Sequence, residues 1–214
     1  VRIGSGIGPG FRIEASARLA RAGRIRESIM ALTPLERTGG AFTEEAARLR
    51  YPRAFAAIVD ARTDEEGIDA STFYALLREE SLFDPQIGST AGAVGLAQLI
   101  PATAEDIARR MRLDDPVLTD PADSVAIGAR YFRMLTGQFG TMTRSLAAYN
   151  AGQGNVRSWE RRWTGLDEVL FHQVMPFAET YNHVRKVVVA ASFYGYLYAG
   201  RPPAETVRLI FALD

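Results

Sequence analysis

Cysteine is absent from the 214 residues, and with it go disulfides, thiolate metal sites and cysteine nucleophiles. Long apolar runs are absent too. The densest stretch, Val187 to Ala191, falls far short of the roughly 18 residues that a transmembrane helix needs. Neither sign of charge is in excess: Lys plus Arg and Asp plus Glu number 25 each, for a formal net charge of zero. Nucleic-acid binding normally rests on a basic excess that neutralises phosphates, so no nucleic-acid partner is expected. Histidine is scarce. His172 and His183 are the only two, no metal-ligand cluster appears in the sequence, and no metal or other cofactor is expected. The chain opens Val-Arg-Ile, with no initiator Met and no visible signal peptide, which reads as a processed product or a fragment of a longer protein.

What is present is helix punctuation. Apolar residues make up 47% of the chain, ample for a packed core, and the length fits one large domain or a medium domain with an extra segment. No stretch alternates apolar and polar residues as a half-buried strand would, so an all-α fold is expected. Residues 11–50 are rich in Ala, Arg and Glu and read as two or three short helices, interrupted by Pro34 and by Gly39-Gly40. Tyr51-Pro52 marks a boundary, because the residue before a proline is pushed away from helical geometry. The chain thus divides into 1–50 and 51–214. Beyond the boundary, Asp69-Ala70-Ser71 offers caps for a helix to about Ser81. Pro101 and Pro121 suit the first turns of helices reaching about Met111 and Thr136. Arg144 to Tyr149 forms another, and a long final helix runs from about Phe177 to Tyr198, ending at Gly200.

One residue sits on an unexpected face. Advancing about 100° per residue along Ser71 to Ser81 clusters Phe73, Leu76 and Leu77 on one side. Glu80 projects near the centre of that cluster, Glu79 about a quarter-turn off it, and Arg78 nearly opposite. A carboxyl aimed at the interior loses hydration, which disfavours its charged form and raises its pKa. A general acid working near neutral pH needs that shift. A buried arginine partner, or a position at the helix end on the surface, would account for Glu80 equally well on helix geometry alone.

The segments that follow narrow the choice. Arg78-Glu-Glu80-Ser81 precedes Ser89-Thr-Ala-Gly-Ala-Val-Gly-Leu-Ala-Gln98-Leu-Ile-Pro101, then Ala148-Tyr149-Asn150-Ala151-Gly152, then Pro176-Phe-Ala-Glu179-Thr180. In order and spacing these four blocks resemble the soluble lytic transglycosylases and their goose-type lysozyme relatives, over about Tyr51 to Tyr198. The resemblance implies an all-α, lysozyme-like catalytic domain over 51–214. Residues 1–50 resemble the end of the superhelical region that precedes that domain in longer members. It implies peptidoglycan glycan strands as the partner and a periplasmic or secreted location. It assigns Glu80 as the sole catalytic acid and base, Ser89 and Gln98 to the cleft near it, and Tyr149 and Asn150 to the border of the sugar subsites. Hydroxyl and amide groups both donate and accept, which suits amino sugars, and an aromatic ring gives a sugar's apolar face a surface to pack on. Plainer roles are also available: Ser89 as a turn residue, Gln98 as a helix-start cap, Asn150 as a helix C-cap. Gly92, Gly95 and Gly152 read as backbone necessities, and Glu179 as a tie for the last helix.

The mechanism that the resemblance implies needs one carboxyl. Glu80 protonates the oxygen between N-acetylmuramic acid and N-acetylglucosamine, the substrate's own N-acetyl oxygen assists, and Glu80 then deprotonates the C6 hydroxyl to close a 1,6-anhydro ring. Two positions depart from the family pattern. Ala97 stands where methionine is usual, which would widen a subsite. His183 stands, counting without gaps, where the family places a tyrosine that reaches the catalytic glutamate. Neutral imidazole keeps one donor but titrates nominally at about pH 6.5. Two alternatives follow: a goose-type hydrolase, and a glycan-binding protein of weak or absent activity.

Overall fold

The computed structural model describes residues 8–37 and 43–213, the side chains of 36 and 37 excepted. Gly39-Gly40, expected to break the N-terminal helices, lies outside them. Twelve helices form among the described residues, and no strand; two isolated antiparallel bridges, Gly88 to Val94 and Val94 to Leu99, are the only extended pairings there. The fold is all-α, as the periodicity predicts.

The central element is α5 (Ala70–Ser81). Asp69 starts it, accepting hydrogen bonds from the Thr72 amide at 2.9 Å and the Thr72 hydroxyl at 2.8 Å, which satisfies donors that a helix start leaves open. Its whole circumference is covered: Ser71 through Arg78 are buried, as is Ser81. The long helix α11 (Ala178–Ala199) packs along it. Phe73, Leu76 and Leu77 enter one core with Phe132, Leu146, Val184, Val187 and Tyr194. Each such side chain contributes about 1.5–3 kcal/mol on burial, enough together to hold a helix whose other faces carry polar groups.

The N-terminal helices are α1 (Pro9–Arg21), α2 (Ile25–Arg37) and α3 (Glu44–Arg50), and α3 meets α5 through Arg78. Arg78, opposite Glu80 on the wheel, is only 3% exposed. Its Nε donates to the Arg50 carbonyl at 3.0 Å, its guanidinium lies 4.5 Å from the Tyr51 ring centroid, and it pairs with Glu79. α1 and α2 are joined by a buried serine exchange: Ser16 Oγ donates to the Ser28 carbonyl and Ser28 Oγ to the Ser16 carbonyl, at 3.0 and 2.9 Å. Pro34 does not interrupt the segment; it lies inside α2. A proline there removes a single amide donor, and the burial of Ile29, Leu32 and Leu35 holds the helix through it.

The remaining helices are α4 (Ala56–Glu66), α6 (Pro101–Met111), α7 (Pro121–Phe139), α8 (Met142–Ala151), α9 (Gln153–Arg162), α10 (Glu168–Gln173) and α12 (Pro203–Phe211). The sequence signals α6, α7, α8 and α11 but not α4, α9, α10 or α12. α9 buries only Val156 and Trp159, too few for a periodic stripe. α12 starts behind Pro202-Pro203, a pair that reads as a stop although proline also suits a first turn. The Tyr51-Pro52 junction is lashed to α11, for the Tyr198 and Tyr194 hydroxyls donate to the Tyr51 and Pro52 carbonyls, each at 2.9 Å. Among the described residues no helix is long and apolar enough to cross a membrane.

The loop from Ile87 to Leu99 depends on two glycines of unequal surroundings. Both Gly92 (φ 83°) and Gly95 (φ 80°) are in the left-handed region. A Cβ on Gly95 would sit 1.9 Å from the Leu118 carbonyl oxygen, while one on Gly92 would meet nothing within 4 Å. Gly92→Ala should therefore cost about 1 kcal/mol, the backbone penalty alone. Gly95→Ala should cost about 3 kcal/mol or more, because backbone must also move. Urea unfolding midpoints check this, and equal losses for the two variants would refute the steric argument.

Candidate active site

Glu80 stands one residue from the C-terminal end of α5, where the encased helix meets solvent. Its side chain is 15% exposed, and no hydrogen bond from the described residues reaches its carboxyl. Burial first, then the charges of Glu79 and Glu179, push its pKa up to about 8. The carboxyl is thus protonated at neutral pH. Glu79, its neighbour in sequence, pairs with Arg78 instead.

The packing of α11 on α5 brings His183 to this carboxyl, with Nε2 at 3.6 Å from Oε1. His183 is buried, and its Nε2 has no hydrogen-bond partner. Burial, then the charge of Lys186, pushes its pKa down to about 4. The nominal 6.5 expected from sequence is therefore displaced, because the imidazole sits between two packed helices where water cannot stabilise its cation. Between about pH 4 and about pH 8 both members of the pair are held neutral. Tyr181 does not share this site; it stacks on His172 with ring centroids 4.3 Å apart.

Tyr149 and Asn150 lie at the end of α8. The Tyr149 hydroxyl donates to the Ala97 carbonyl at 2.7 Å, and its pKa is raised by burial first and by the Glu80 charge next. Its ring lies 5.3 Å from that of Tyr131. Asn150 Oδ1 accepts from Thr180 Oγ1 at 2.7 Å, which fixes the start of α11 and leaves the Asn150 amide nitrogen uncommitted. Thr180, not Glu179, is the tie at that helix: Glu179 is exposed and makes no hydrogen bond or ion pair among the described residues. The Pro-Phe-Ala-Glu-Thr block carries both residues, and only their contacts separate the roles.

Gln98 and Ser89 hold the loop between α5 and α6. Gln98 has φ 46°, and its Nε2 donates to the Ile87 and Gly95 carbonyls at 3.0 and 2.9 Å. Ser89 is exposed at the loop tip, its Oγ accepting from the Ala93 amide at 3.0 Å. Ala97 does not widen a subsite: it is fully buried. A Cβ on Gly128 of α7 would come within 2.5 Å of the Ala97 Cβ, so a small residue at 97 and a glycine at 128 let loop and helix touch. Beyond Tyr131 a cavity of about 480 Å³ is lined by Tyr131, Met134, Gln153, Thr103 and Asp106 among others. These positions carry no sequence motif.

The family model described as Transglycosylase SLT domain matches residues 57–170. The soluble lytic murein transglycosylase of Escherichia coli is 33% identical over 159 residues, 72% of this chain and 25% of that protein. Among solved structures, the 70 kDa soluble lytic transglycosylase from Escherichia coli superposes with a TM-score of 0.82 at 27% identity, covering 93% of this chain and 32% of that one. An inactive glutamate-to-glutamine mutant of lytic transglycosylase Slt from Pseudomonas aeruginosa gives a TM-score of 0.78 at 26% identity, covering 88% of this chain and 30% of that one. The chain spans about a quarter of the length of the curated relative it matches.

The two displaced pKa values set the pH dependence of stability. An acid whose pKa rises on folding holds its proton more tightly in the native chain, so Glu80 stabilises less and less as pH climbs from 4.5 to about 8. A base whose pKa falls on folding acts oppositely, so His183 costs stability as pH drops from 6.5 to about 4. Glu80→Gln should thus raise stability at pH 7 by on the order of 1–3 kcal/mol and leave it little changed at pH 4. Thermal denaturation at both pH values is the check; destabilisation at pH 7 would contradict the burial argument.

Proposed function

The chain belongs to the transglycosylase SLT domain family, and from that premise we propose that it is a lytic transglycosylase that cleaves peptidoglycan glycan strands without consuming water. The observation that carries the reading is a carboxyl buried at the end of α5 and protonated at neutral pH, beside an imidazole held neutral. An acid in that state can give its proton to a leaving oxygen without first collecting one from solvent. The inactive glutamate-to-glutamine mutant of the Pseudomonas aeruginosa relative agrees with a dependence on one carboxyl.

In this reading Glu80 protonates the oxygen that joins N-acetylmuramic acid to N-acetylglucosamine, and the bond from that oxygen to the muramoyl C1 breaks. The muramoyl N-acetyl oxygen stabilises C1. Glu80, now a carboxylate, takes the proton of the C6 hydroxyl as O6 bonds to C1, which closes the 1,6-anhydro ring and regenerates the acid. In its Nε2–H tautomer His183 donates toward the carboxylate formed midway, a role a phenol would otherwise fill. Tyr149 with Asn150, and the cavity beyond Tyr131, supply aromatic and amide surface for neighbouring sugars, with Gln98 and Ser89 shaping the loop across the cleft. Residues 51–214 form the catalytic unit, residues 1–50 close a longer helical array, and the site of action is periplasmic or secreted.

One observation favours a second reading. Glu179 is an exposed carboxylate without a partner, and its charge acts on Glu80. A second carboxylate able to activate water would make the enzyme a hydrolase.

Glu80→Gln should reduce cleavage of purified peptidoglycan by about a thousandfold or more, since one group serves as acid and base, while Glu79→Gln retains most activity. Mass spectrometry of the products should find anhydro ends, one water lighter than reducing ends; ordinary reducing ends that vanish in Glu179→Gln would establish the hydrolase instead. The pH profile should fall above about 8 as Glu80 loses its proton. Removing the repelling charge at Glu79 or Glu179 should move that limb to lower pH. His183→Tyr should change the profile only near pH 4, and a difference centred near 6.5 would show that the histidine is solvated.

A further inference from the structure

On the other side of Glu79 a cavity of about 740 Å³ opens to solvent between α2, α3, α5 and α11. Among the described residues that line it, Arg78, Arg185 and Lys186 are cations and Glu79 is the carboxylate, while Arg50 is engaged with the Ile29 carbonyl through Nη1 at 3.0 Å. That imbalance stands out in a chain whose charges sum to zero. The Arg78 side chain is 4% exposed and pairs with Glu79 through Nη1, and its Nη2 is buried with no partner. A buried guanidinium nitrogen without an acceptor is costly unless something supplies one. Arg185 has only a 3.5 Å hydrogen bond to Asn182, and Lys186, the sole lysine of the chain, has no ion pair among the described residues. Leu82, Val189 and Ala190 add an apolar wall.

We propose that this cavity is a second binding site, which takes the carboxylate of a peptide. One carboxylate oxygen matches the unpartnered Nη2 of Arg78, the other falls to Arg185 or Lys186, and the apolar wall suits aliphatic peptide side chains. Glu79 within the same wall disfavours a dianion such as phosphate. The identity of the peptide rests on the reading of the enzyme given above: it is the peptide branch carried by the glycan strand. The site communicates with the catalytic pair. Glu79 and Lys186 line it, and their charges are among those felt by Glu80 and His183. An anion bound there adds negative potential at both groups, which favours the protonated form of Glu80.

The test uses the whole chain carrying Glu80→Gln, so that no turnover intervenes, and isothermal titration with a synthetic acidic tripeptide bearing free carboxylates. The tripeptide should bind, and its fully amidated form about tenfold or more weaker, as should inorganic phosphate. Arg185→Ala with Lys186→Ala should weaken binding by about tenfold, and Glu79→Gln should tighten it by freeing Arg78 and removing a repelling charge. The tripeptide should also protect Lys186 from an amine-reactive reagent. Equal binding of the free and amidated peptides, or affinities unmoved by both variants, would overturn the proposal, and phosphate binding as tightly as the peptide would reduce the cavity to a generic anion site. Peptide binding by a protein that cleaves no glycan would leave the site standing and remove the enzymatic reading; cleavage without peptide binding would do the reverse.

Discussion

The withdrawal of water from the Glu80 carboxyl is the constraint on which the candidate site depends. α5 is covered on all sides for most of its length, so the carboxyl near its end emerges against packed side chains. An isolated amphipathic helix would leave one flank wet, and its glutamates would stay ionised at neutral pH. Here α11 packs along one flank and α4 against another, and the Glu80 side chain is left only 15% exposed. The pKa shift follows from the architecture before any specific partner is invoked.

The same packing sets the state of the facing histidine. A protonated imidazole 3.6 Å from a carboxylate would be an ion pair in water-poor surroundings, and its desolvation is costly. Here burial pushes each group toward its neutral form, and adjacent charges of the same sign reinforce the push: Glu79 and Glu179 on the acid, Lys186 on the base. Two neutral groups in contact need no countercharge, and among the described residues no arginine pairs with either. The arginine that sequence proximity would suggest, Arg78, is turned away and committed to Glu79, Arg50 and Tyr51.

Around that pair, close approaches carry the positioning. Gly128 lets α7 meet Ala97, and the Ala97 carbonyl receives the Tyr149 hydroxyl, so one contact fixes both the loop and the aromatic residue. Thr180 and Asn150 register the start of α11 against the end of α8, and through α11 they set the height of His183. These are short contacts between segments far apart in the chain: Tyr149 with Ala97 and Asn150 with Thr180 join motif blocks to one another, and Gly128 stands outside the motifs.

Local signals were enough for the all-α class, the caps and ends of α5, α6, α7 and α11, and the inward aim of Glu80, because each depends on dihedral preference or on a period of 3.6 residues within one segment. The motif blocks carried Glu80, Tyr149, Asn150 and His183 for a similar reason, being read along the chain. What only the tertiary structure decided depends on which segments meet. Pro34 lies within a helix because Ile29, Leu32 and Leu35 are buried around it, a fact no local window contains. Ala97 is core rather than cleft because α7 presents a glycine to it, and Thr180 rather than Glu179 makes the tie because Asn150 stands opposite. The displacement of the His183 pKa and the basic cavity behind Glu79 belong to the same class, since hydration and electrostatic potential at a point are sums over neighbours that the linear order does not name.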